Sequence, residues 1–238
     1  MAVLMLGAIR EFARRRLVVL TMSPDCYQRH KFVSDILRKE GCKTILDVGG
    51  GSGRFFKRFL PEAESFTFDA EEGDVIGDAR HIPFSGRSFD AVTCMETLQY
   101  IGEADRRKVL SEFTRVAKKA VVLSFPTDDP KVVAAEIECN SAYKRIFGRG
   151  NRWLDEHIKH GLPNIEKVKA MLAGRNVRVY PICNLSRWKK MFLLGIRLQK
   201  RGLILLATAM NVAYVALYGA DMEEPTYTNV LVVKNAGK

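Results

Sequence analysis

The sequence predicts an α/β fold with a mostly parallel, seven-stranded sheet and helices on both of its faces. Two observations lead to this fold class. Short apolar segments alternate with helical segments along the chain, and a glycine-rich turn joins the first buried strand to the next helix. The 238 residues, 47% hydrophobic and 27% charged, exclude disordered, collagen-like and small disulfide-stabilised chains.

The seven strands are predicted at segments whose apolar residues run without helical spacing: 44–48, 65–69, 75–78, 89–95, 120–125, 177–183 and 227–233. Helices are predicted between them at about 24–40, 54–60, 103–117 and 164–172. The first helix has Ser23 as a capping hydroxyl, Pro24 at its first position and Gly41 as a left-handed stop.

Two intervals, 127–176 and 184–225, are longer than ordinary loops and flank the sixth strand. They predict a helical cap, and the name "cap" is used below for these two segments. No repeat or linker divides the chain, so we expect a single domain over 1–238 with its core at about 23–126.

The net charge of +11 lies in one part of the chain. Residues 131–201 contain 16 Lys and Arg but only 5 Asp and Glu, whereas the remainder has 22 of each sign. A basic cap indicates an anionic partner, such as nucleic acid, phospholipid headgroups or a phosphorylated substrate. The five cysteines are widely spaced with no CxxC pair, which favours a reducing, cytoplasmic location.

A ligand site is predicted at the turn that contains Gly49, Gly50, Gly51 and Gly53, because bare backbone lets a ligand approach closely. The spacing fits neither the dinucleotide fingerprint nor a P-loop, which favours a nucleotide-like ligand without phosphate. Asp69 ends the next predicted strand, where a carboxylate can accept both hydroxyls of a ribose. Asp78 is placed to accept from an adenine amino group.

Four segments carry a resemblance to a known family: LDVGGGSG (46–53), GDARHIPF (77–84), SFDAVTCMETLQYI (88–101) and RVAKKAVVLSFP (115–126). Over about 43–126 the chain resembles class I S-adenosylmethionine-dependent methyltransferases of the small-molecule type, which include the ubiquinone and menaquinone methyltransferases. The resemblance implies a Rossmann-like fold, S-adenosyl-L-methionine as the cofactor, and methyl transfer.

The resemblance also implies roles for individual residues. Asp47 and the loop glycines would hold the methionine end of the cofactor, Asp69 the ribose, and Asp78 with Ala79 the adenine, while Cys94, Met95 and Glu96 would line its far side. The chain departs from many relatives by having Leu98-Gln99-Tyr100 where they carry a Glu-His pair. The short gap between Asp69 and Asp78 predicts an adenine pocket that is open on one side.

A general base is needed only if the acceptor is a hydroxyl or an acidic carbon. The candidates are His81, Glu96, His157 and His160. His157 and His160 share one side of a predicted cap helix, which allows a polar surface, a catalytic or orienting role for His157, or a metal pair. No third ligand follows, so no metal site is predicted.

Two apolar segments of the cap have open interpretations. Residues 187–201 project as a basic amphipathic helix, which suits a membrane interface but equally a helix packed on its own core. Residues 203–220 are almost long enough to span a bilayer, yet one crossing would separate the last strand from its sheet. We expect a buried or interfacial helix there, with a terminal helix from 1–20 beside it, lining a tunnel for a lipophilic acceptor.

Together these features predict an enzyme that methylates a small, lipophilic or lipid-linked acceptor, in the cytoplasm and peripheral to the inner membrane surface. Two alternatives remain open. The basic cap would also suit an RNA methyltransferase that binds phosphates, although the N-P-P-[YF] motif of base-methylating enzymes is absent. A cofactor-binding scaffold without catalysis is the second alternative.

Overall fold

The structure is a computed structural model that describes residues 22–219 and 221–235. The terminal helix predicted at 1–20 lies outside the described residues. One seven-stranded sheet runs through the molecule in the order β3-β2-β1-β4-β5-β7-β6. Its strands are β1 Thr44–Val48, β2 Glu64–Asp69, β3 Val75–Ile76, β4 Phe89–Met95, β5 Ala117–Pro126, β6 Asn176–Asn184 and β7 Thr226–Lys234. Only β7 is antiparallel to its neighbours β5 and β6.

The described residues contain eight α-helices and a short 3-10 turn at Leu98–Tyr100. The helices are α1 Pro24–Lys39, α2 Phe55–Phe59, α3 Glu103–Val116, α4 Pro130–Phe147, α5 Arg152–His160, α6 Ile165–Met171, α7 Leu185–Lys200 and α8 Ile204–Tyr218. Pro24 begins α1 and Gly41 adopts a φ of 64° after it, as predicted. Ser23 precedes α1, but its side chain makes no capping hydrogen bond.

The sheet is covered on both faces, which confirms the predicted fold class. One hydrophobic core contains Val33 and Leu37 of α1 together with Val132 of α4. The other contains Val109 of α3 and Val168 of α6. Strands buried on both faces need nearly continuous apolar sequence, and this is why 44–48 and 89–95 could be recognised without alternation.

The strand order reverses between β1 and β4. β1 pairs with β2 on one side and with β4 on the other, and all three strands run parallel. Their connections leave the carboxyl ends in opposite directions, which opens a crevice at that edge of the sheet. The glycine-rich loop follows β1 at this crevice, so the topology positions a ligand site there.

The cap segments supply α4, α5, α7 and α8, while α6 packs on the sheet through Val168 and Leu172. The apolar face of α7 packs on the protein: the ring of Trp188 stacks on Tyr227 with centroids 3.8 Å apart. Two of its cations are paired, Arg187 with Asp221 at 2.7 Å and Lys189 with Glu138. The face of α7 that carries Trp188 therefore packs on the core of the protein, as one of the two interpretations expected.

The helix α8 is not buried, contrary to one of the two expectations for it. Tyr214 is its single buried side chain among the described residues. Leu205 and Leu217 are 86% and 76% exposed. No helix within the described ranges combines the length and the apolar composition needed to cross a membrane.

Candidate functional site

The loop after β1 packs so closely that two of its glycines admit no side chain. Gly49 has a φ of 79°, and a Cβ on it would lie 2.1 Å from Thr97 Oγ1. A Cβ on Gly50 would lie 2.5 Å from Asp47 Oδ2. Gly49 N–H donates to the carbonyl of Phe68 at 2.8 Å, which ties the loop to β2. The loop is thus a bare-backbone cradle at the carboxyl end of β1.

The side chain of Asp47 packs against this loop at Gly50. Its side chain is 2% exposed and accepts a hydrogen bond from Thr93 Oγ1 at 2.8 Å. Burial raises the pKa of the carboxyl to about 7, because removal from water disfavours the charged form. Asp47 does not line the cavity described below, so its predicted contact with the methionine end would act through the loop.

Asp69 ends β2 beside the same loop. Its Oδ2 accepts from Gly51 N–H at 3.2 Å and its Oδ1 from Glu71 N–H at 3.0 Å. Two backbone donors on successive turns fix the direction of the carboxylate. Asp69 lies on the cavity wall at the end of β2.

Asp78 and Ala79 also lie on the wall, and Asp78 is paired. Arg80 binds it through Nη2 at 2.7 Å and reaches Asp105 through Nη1 at 3.0 Å. The hydrogen bonds from Arg80 lower the pKa of Asp78 to about 2. Any adenine contact by Asp78 is therefore made by a carboxylate that Arg80 already holds.

Like Asp47, Cys94 and Met95 are predicted cofactor residues that do not line the cavity. Their side chains point to opposite faces of β4, and each face is covered by one of the two cores. Glu96 and Thr97, the next two residues, line the cavity instead. Successive side chains of β4 point to alternate faces of the sheet, and both faces are covered by a core. The residues of this segment therefore reach the cavity wall only after the strand has ended.

One cavity of about 1480 Å³ joins the glycine loop to a second group of residues. We call this second part the inner chamber. It is lined by Arg29, Glu96, Gln99, Tyr100, Trp153, His157 and Tyr227. These residues come from α1, the end of β4, the 3-10 turn, α5 and β7, so residues distant in sequence meet in one space.

Glu96 adopts a φ of 55°, which costs a non-glycine residue about 1–2 kcal/mol. Its surroundings hold it there, because its N–H donates to the carbonyl of Ser124 at 2.8 Å. Its Oε1 accepts from Ser124 Oγ at 3.2 Å and from Thr228 Oγ1 at 3.3 Å. Burial raises the pKa of Glu96, although the guanidinium of Arg29, 3.9 Å away, opposes this.

Two polar atoms on the wall of the inner chamber have no hydrogen-bond partner among the described residues: Arg29 Nε and Gln99 Oε1. Arg29 is held by Asp25 through a 2.7 Å ion pair. Gln99 is fully buried and uses its amide nitrogen to donate to Glu96 Oε2 at 3.3 Å. Buried polar atoms without a partner are uncommon, and both of these residues belong to the cavity wall.

His157 lies at the inner chamber and is bonded through both ring nitrogens. Nδ1 is 2.9 Å from Glu136 Oε1, and Nε2 is 3.1 Å from the Tyr100 hydroxyl. Tyr227 also donates to Glu136 Oε1, at 2.7 Å. An ionised carboxylate only accepts, so in the tautomer that fits an ionised Glu136 the Nδ1–H donates to it and the lone pair of Nε2 faces Tyr100.

The other candidate histidines lie elsewhere. His160 is bonded to Glu156 at 3.1 Å, and His81 lies 2.7 Å from Lys108 Nζ on the surface. His157 and His160 therefore do not converge on a common point. Within 22–219 and 221–235, no group of three or more His, Cys, Asp and Glu side chains could hold a metal ion.

The sequence did not single out Arg29, Glu136 or Tyr227 as site residues. A signal for Glu136 was present, because it shares the buried face of α4 with Val132, Ala135 and Cys139. A single acidic residue on an apolar helix face needs a buried partner. What the sequence could not supply was the identity of that partner on another helix.

Comparison with known proteins finds methyltransferases. Residues 46–125 match the family described as "Methyltransferase domain". A demethylmenaquinone methyltransferase of Thermotoga maritima is 32% identical over 117 residues, which are 42% of this chain and 50% of that protein. Over these residues the chain is similar to the core domain of methyltransferases.

The chain spans about half the length of this curated relative. Among solved structures, the plantazolicin methyltransferase BpumL in complex with a triazolic desmethylPZN analog and S-adenosylhomocysteine aligns with a TM-score of 0.55 at 10% identity, covering 90% of this chain and 86% of that one. A methyltransferase from Archaeoglobus fulgidus is 16% identical with a TM-score of 0.49, covering 87% and 94%. At such identities the likeness to BpumL shows the fold.

Proposed function

We propose that this chain transfers a methyl group from S-adenosylmethionine to a small acceptor held in the inner chamber. The observation that carries the proposal is that one cavity is lined by the glycine cradle and Asp69 and also by His157. Methyl transfer requires the donor and the acceptor to be aligned in one water-excluding space. The depth of His157, 5% exposed, fits that requirement.

The cradle fits the cofactor because the bare backbone of Gly49, Gly50, Gly51 and Gly53 lines the cavity together with Asp69. The loop would hold the methionine end with Asp47 behind it, and Asp69 the ribose. Asp78 and Ala79 would hold the adenine. When bound, the cofactor supplies a sulfonium-activated methyl group, so the chain needs no nucleophile of its own.

The residues around His157 suit an acceptor that loses a proton. Tyr100 donates its hydroxyl proton to His157 Nε2, and both side chains line the cavity. A proton that leaves an acceptor hydroxyl passes to Tyr100 as Tyr100 passes its own to Nε2. Glu136 stabilises the imidazolium that results. Gln99 Oε1, which has no partner among the described residues, can accept a hydrogen bond from the same acceptor.

The acceptor is proposed to be lipophilic, with a polar reactive end. Four aromatic side chains contribute to the cavity wall on the cap side: Trp153, Trp188, Phe192 and Tyr227. Such walls favour an apolar body, while the few convergent polar groups orient it. We infer an acceptor with an acidic hydroxyl or enolic carbon attached to an apolar or lipid-linked body.

The protein is further proposed to act at the cytoplasmic surface of an anionic membrane. We call the exposed apolar residues of α7 and α8 the apolar surface: Leu194, Leu203, Ile204, Leu205, Leu206, Leu217 and Tyr218. Exposed cations lie in the same region of the chain, at Lys190, Arg197, Lys200 and Arg201. No Asp or Glu occurs between 185 and 219. Apolar side chains with cations nearby suit a bilayer interface with anionic lipids.

The direct test incubates the purified protein and methyl-labelled S-adenosylmethionine with fractionated extracts of the source cell. We expect label in the lipid or small-molecule fraction, and none with the His157→Asn variant at neutral pH. Label in RNA would replace the proposed acceptor class. A protein that binds the cofactor but labels no fraction would be a scaffold, contrary to the proposal.

A further inference from the structure

A second, smaller cavity of about 200 Å³ lies between α1, α7 and α8. It shares Ser23, Asp25, Trp188 and Phe192 with the wall of the main cavity. The two spaces are therefore separated by no more than this layer of side chains. The stacked ring of Trp188 lines both of them.

The walls that belong only to the second cavity are largely apolar: Pro24, Cys183, Met191, Gly195, Ile196 and Tyr214. Gln28, Gln199 and Asn211 add neutral polar groups, and the charge of Asp25 is balanced by Arg29 at 2.7 Å. The volume exceeds the roughly 150 Å³ of an apolar cavity that accepts benzene. Its size and lining fit a segment of hydrocarbon rather than a charged group.

We propose that this cavity binds the hydrocarbon tail of the acceptor while the reactive end lies in the inner chamber. The proposal rests on the proposed function for its acceptor and adds a second binding site to it. α7 and α8 form one side of the cavity, and these two helices also carry the apolar surface on their outer side. A tail held between them lies next to the surface that would face the bilayer.

Gly195 offers a way to fill the cavity without disturbing the fold. It lies within α7, and a Cβ added to it meets no atom within 4 Å. Leucine is a better helix former than glycine by about 0.5–1 kcal/mol, so Gly195→Leu should fold. Its side chain would occupy space that the tail needs. Ser186→Leu places the same side chain at an exposed position of the same helix and serves as the matched control.

The experiment uses Trp188 as a reporter. The chain has two tryptophans, so Trp153→Phe leaves Trp188 alone. A fatty alcohol with bromine along its chain should quench Trp188 fluorescence in a saturable way. Gly195→Leu in this background should weaken the apparent affinity at least tenfold, and Ser186→Leu should leave it unchanged.

Binding is read without methyl transfer, so the tail site can fail or succeed independently of the proposed function. Absence of quenching, or equal affinity in Gly195→Leu and Ser186→Leu, would overturn the tail site. If label is transferred to a tailed acceptor, Gly195→Leu should raise its KM at least tenfold but leave a tail-less analogue unaffected. Equal effects on both acceptors would also count against the tail site.

Discussion

His157 Nδ1 lies 2.9 Å from Glu136 Oε1, although the two residues are 21 positions apart on separate helices of the cap. Both side chains are at most 5% exposed. The contact determines which ring nitrogen carries the proton and leaves the other available toward Tyr100 and the cavity. It gives His157, a residue that could equally have been part of a polar surface, an orientation suited to accepting a proton.

The first prediction concerns this pair. Glu136→Gln replaces a carboxylate that only accepts with an amide that can also donate, so the Nδ1–H tautomer loses its preference. Nitrogen NMR of labelled protein should show Nδ1–H as the dominant neutral form of His157 in the wild type and a mixture in Glu136→Gln. With an identified acceptor, kcat should fall at least about tenfold, less than the roughly 10²–10⁴-fold of a lost general base because Glu136 only orients His157.

Glu136→Gln should leave the dissociation constant for S-adenosylmethionine unchanged, since Glu136 lies away from the cradle. Glu138→Gln, on the same helix and exposed, is the control. An unaltered tautomer in Glu136→Gln would remove Glu136 as the positioning residue of His157.

The second prediction concerns the ribose contact. Asp69→Ala should weaken the binding of S-adenosylmethionine by at least tenfold in calorimetry, because two ribose hydroxyls lose their acceptor. Asp35→Ala removes a carboxylate from the exposed side of α1 and should not alter the affinity. Equal affinity in Asp69→Ala and wild type would exclude Asp69 from the site.

The third prediction concerns pH and Asp47. Its pKa is raised from 3.8 to about 7 by burial, so between these values the folded protein binds more protons than the unfolded chain. The free energy of unfolding therefore falls as pH rises from about 4 to about 7, and this carboxyl contributes at most about 4 kcal/mol to the decrease.

Chemical denaturation at about pH 5 and about pH 8 measures this effect. Asp47→Asn cannot ionise, and the loss of stability between the two pH values should be smaller than in the wild type. Asp90→Asn, at a partly buried carboxyl whose pKa is lowered, should not reduce the loss. If the free energy of unfolding decreases as much in Asp47→Asn as in the wild type, the pH dependence comes from other groups.

The fourth prediction concerns the packing of the cradle. Gly50→Ala adds a Cβ 2.5 Å from Asp47 Oδ2 and 3.1 Å from Thr67 Cγ2, so the loop or the carboxylate must shift. We expect a loss of about 1–3 kcal/mol in the free energy of unfolding and weaker cofactor binding. Gly195→Ala, which meets nothing within 4 Å in a helix, should instead stabilise the protein slightly. Unchanged stability in Gly50→Ala would show that the loop is not closely packed.

The fifth prediction tests the membrane surface. Replacing Lys190, Arg197, Lys200 and Arg201 by Glu should abolish sedimentation with vesicles that contain phosphatidylserine. High salt should likewise reduce the binding of the wild-type protein to these vesicles, because it screens the charges. The matched control makes the same change in net charge at exposed cations away from the apolar surface: Lys39, Arg58, Arg87 and Arg107. Wild-type protein that never sediments with such vesicles would contradict the membrane proposal.

The sequence was most informative where local physical rules are sufficient. β1 and β4 were predicted at their observed bounds, Thr44–Val48 and Phe89–Met95, because runs of apolar residues in a buried parallel sheet leave little choice of conformation. The glycine spacing and Asp69 were recognisable because cradle and carboxylate follow directly from two neighbouring strand ends. The loop after β1 and Asp69 at the end of β2 are brought together by the single crossover that joins these two neighbouring strands.

The cap was less predictable because its packing depends on contacts that are not local in the sequence. Periodicity indicated helices in 127–176 and 184–225 but not which faces they would bury, so α8 was left open between a buried and an interfacial helix. Cys94 and Met95 were assigned by resemblance to the cofactor, whereas packing on both faces of β4 keeps them in the cores. These outcomes depend on neighbours that are remote in the chain.

The sequence by itself determined the class of the fold and the position of the glycine-rich loop and of Asp69 at two neighbouring strand ends, since strand ends and turns are encoded locally. The tertiary structure alone decided that His157 faces Glu136 and Tyr100, that Arg29 reaches Glu96, and that α8 stays exposed. Each of these depends on how helices from distant segments pack over the sheet. Such packing is set by the summed burial of many side chains and not by the spacing within any one segment.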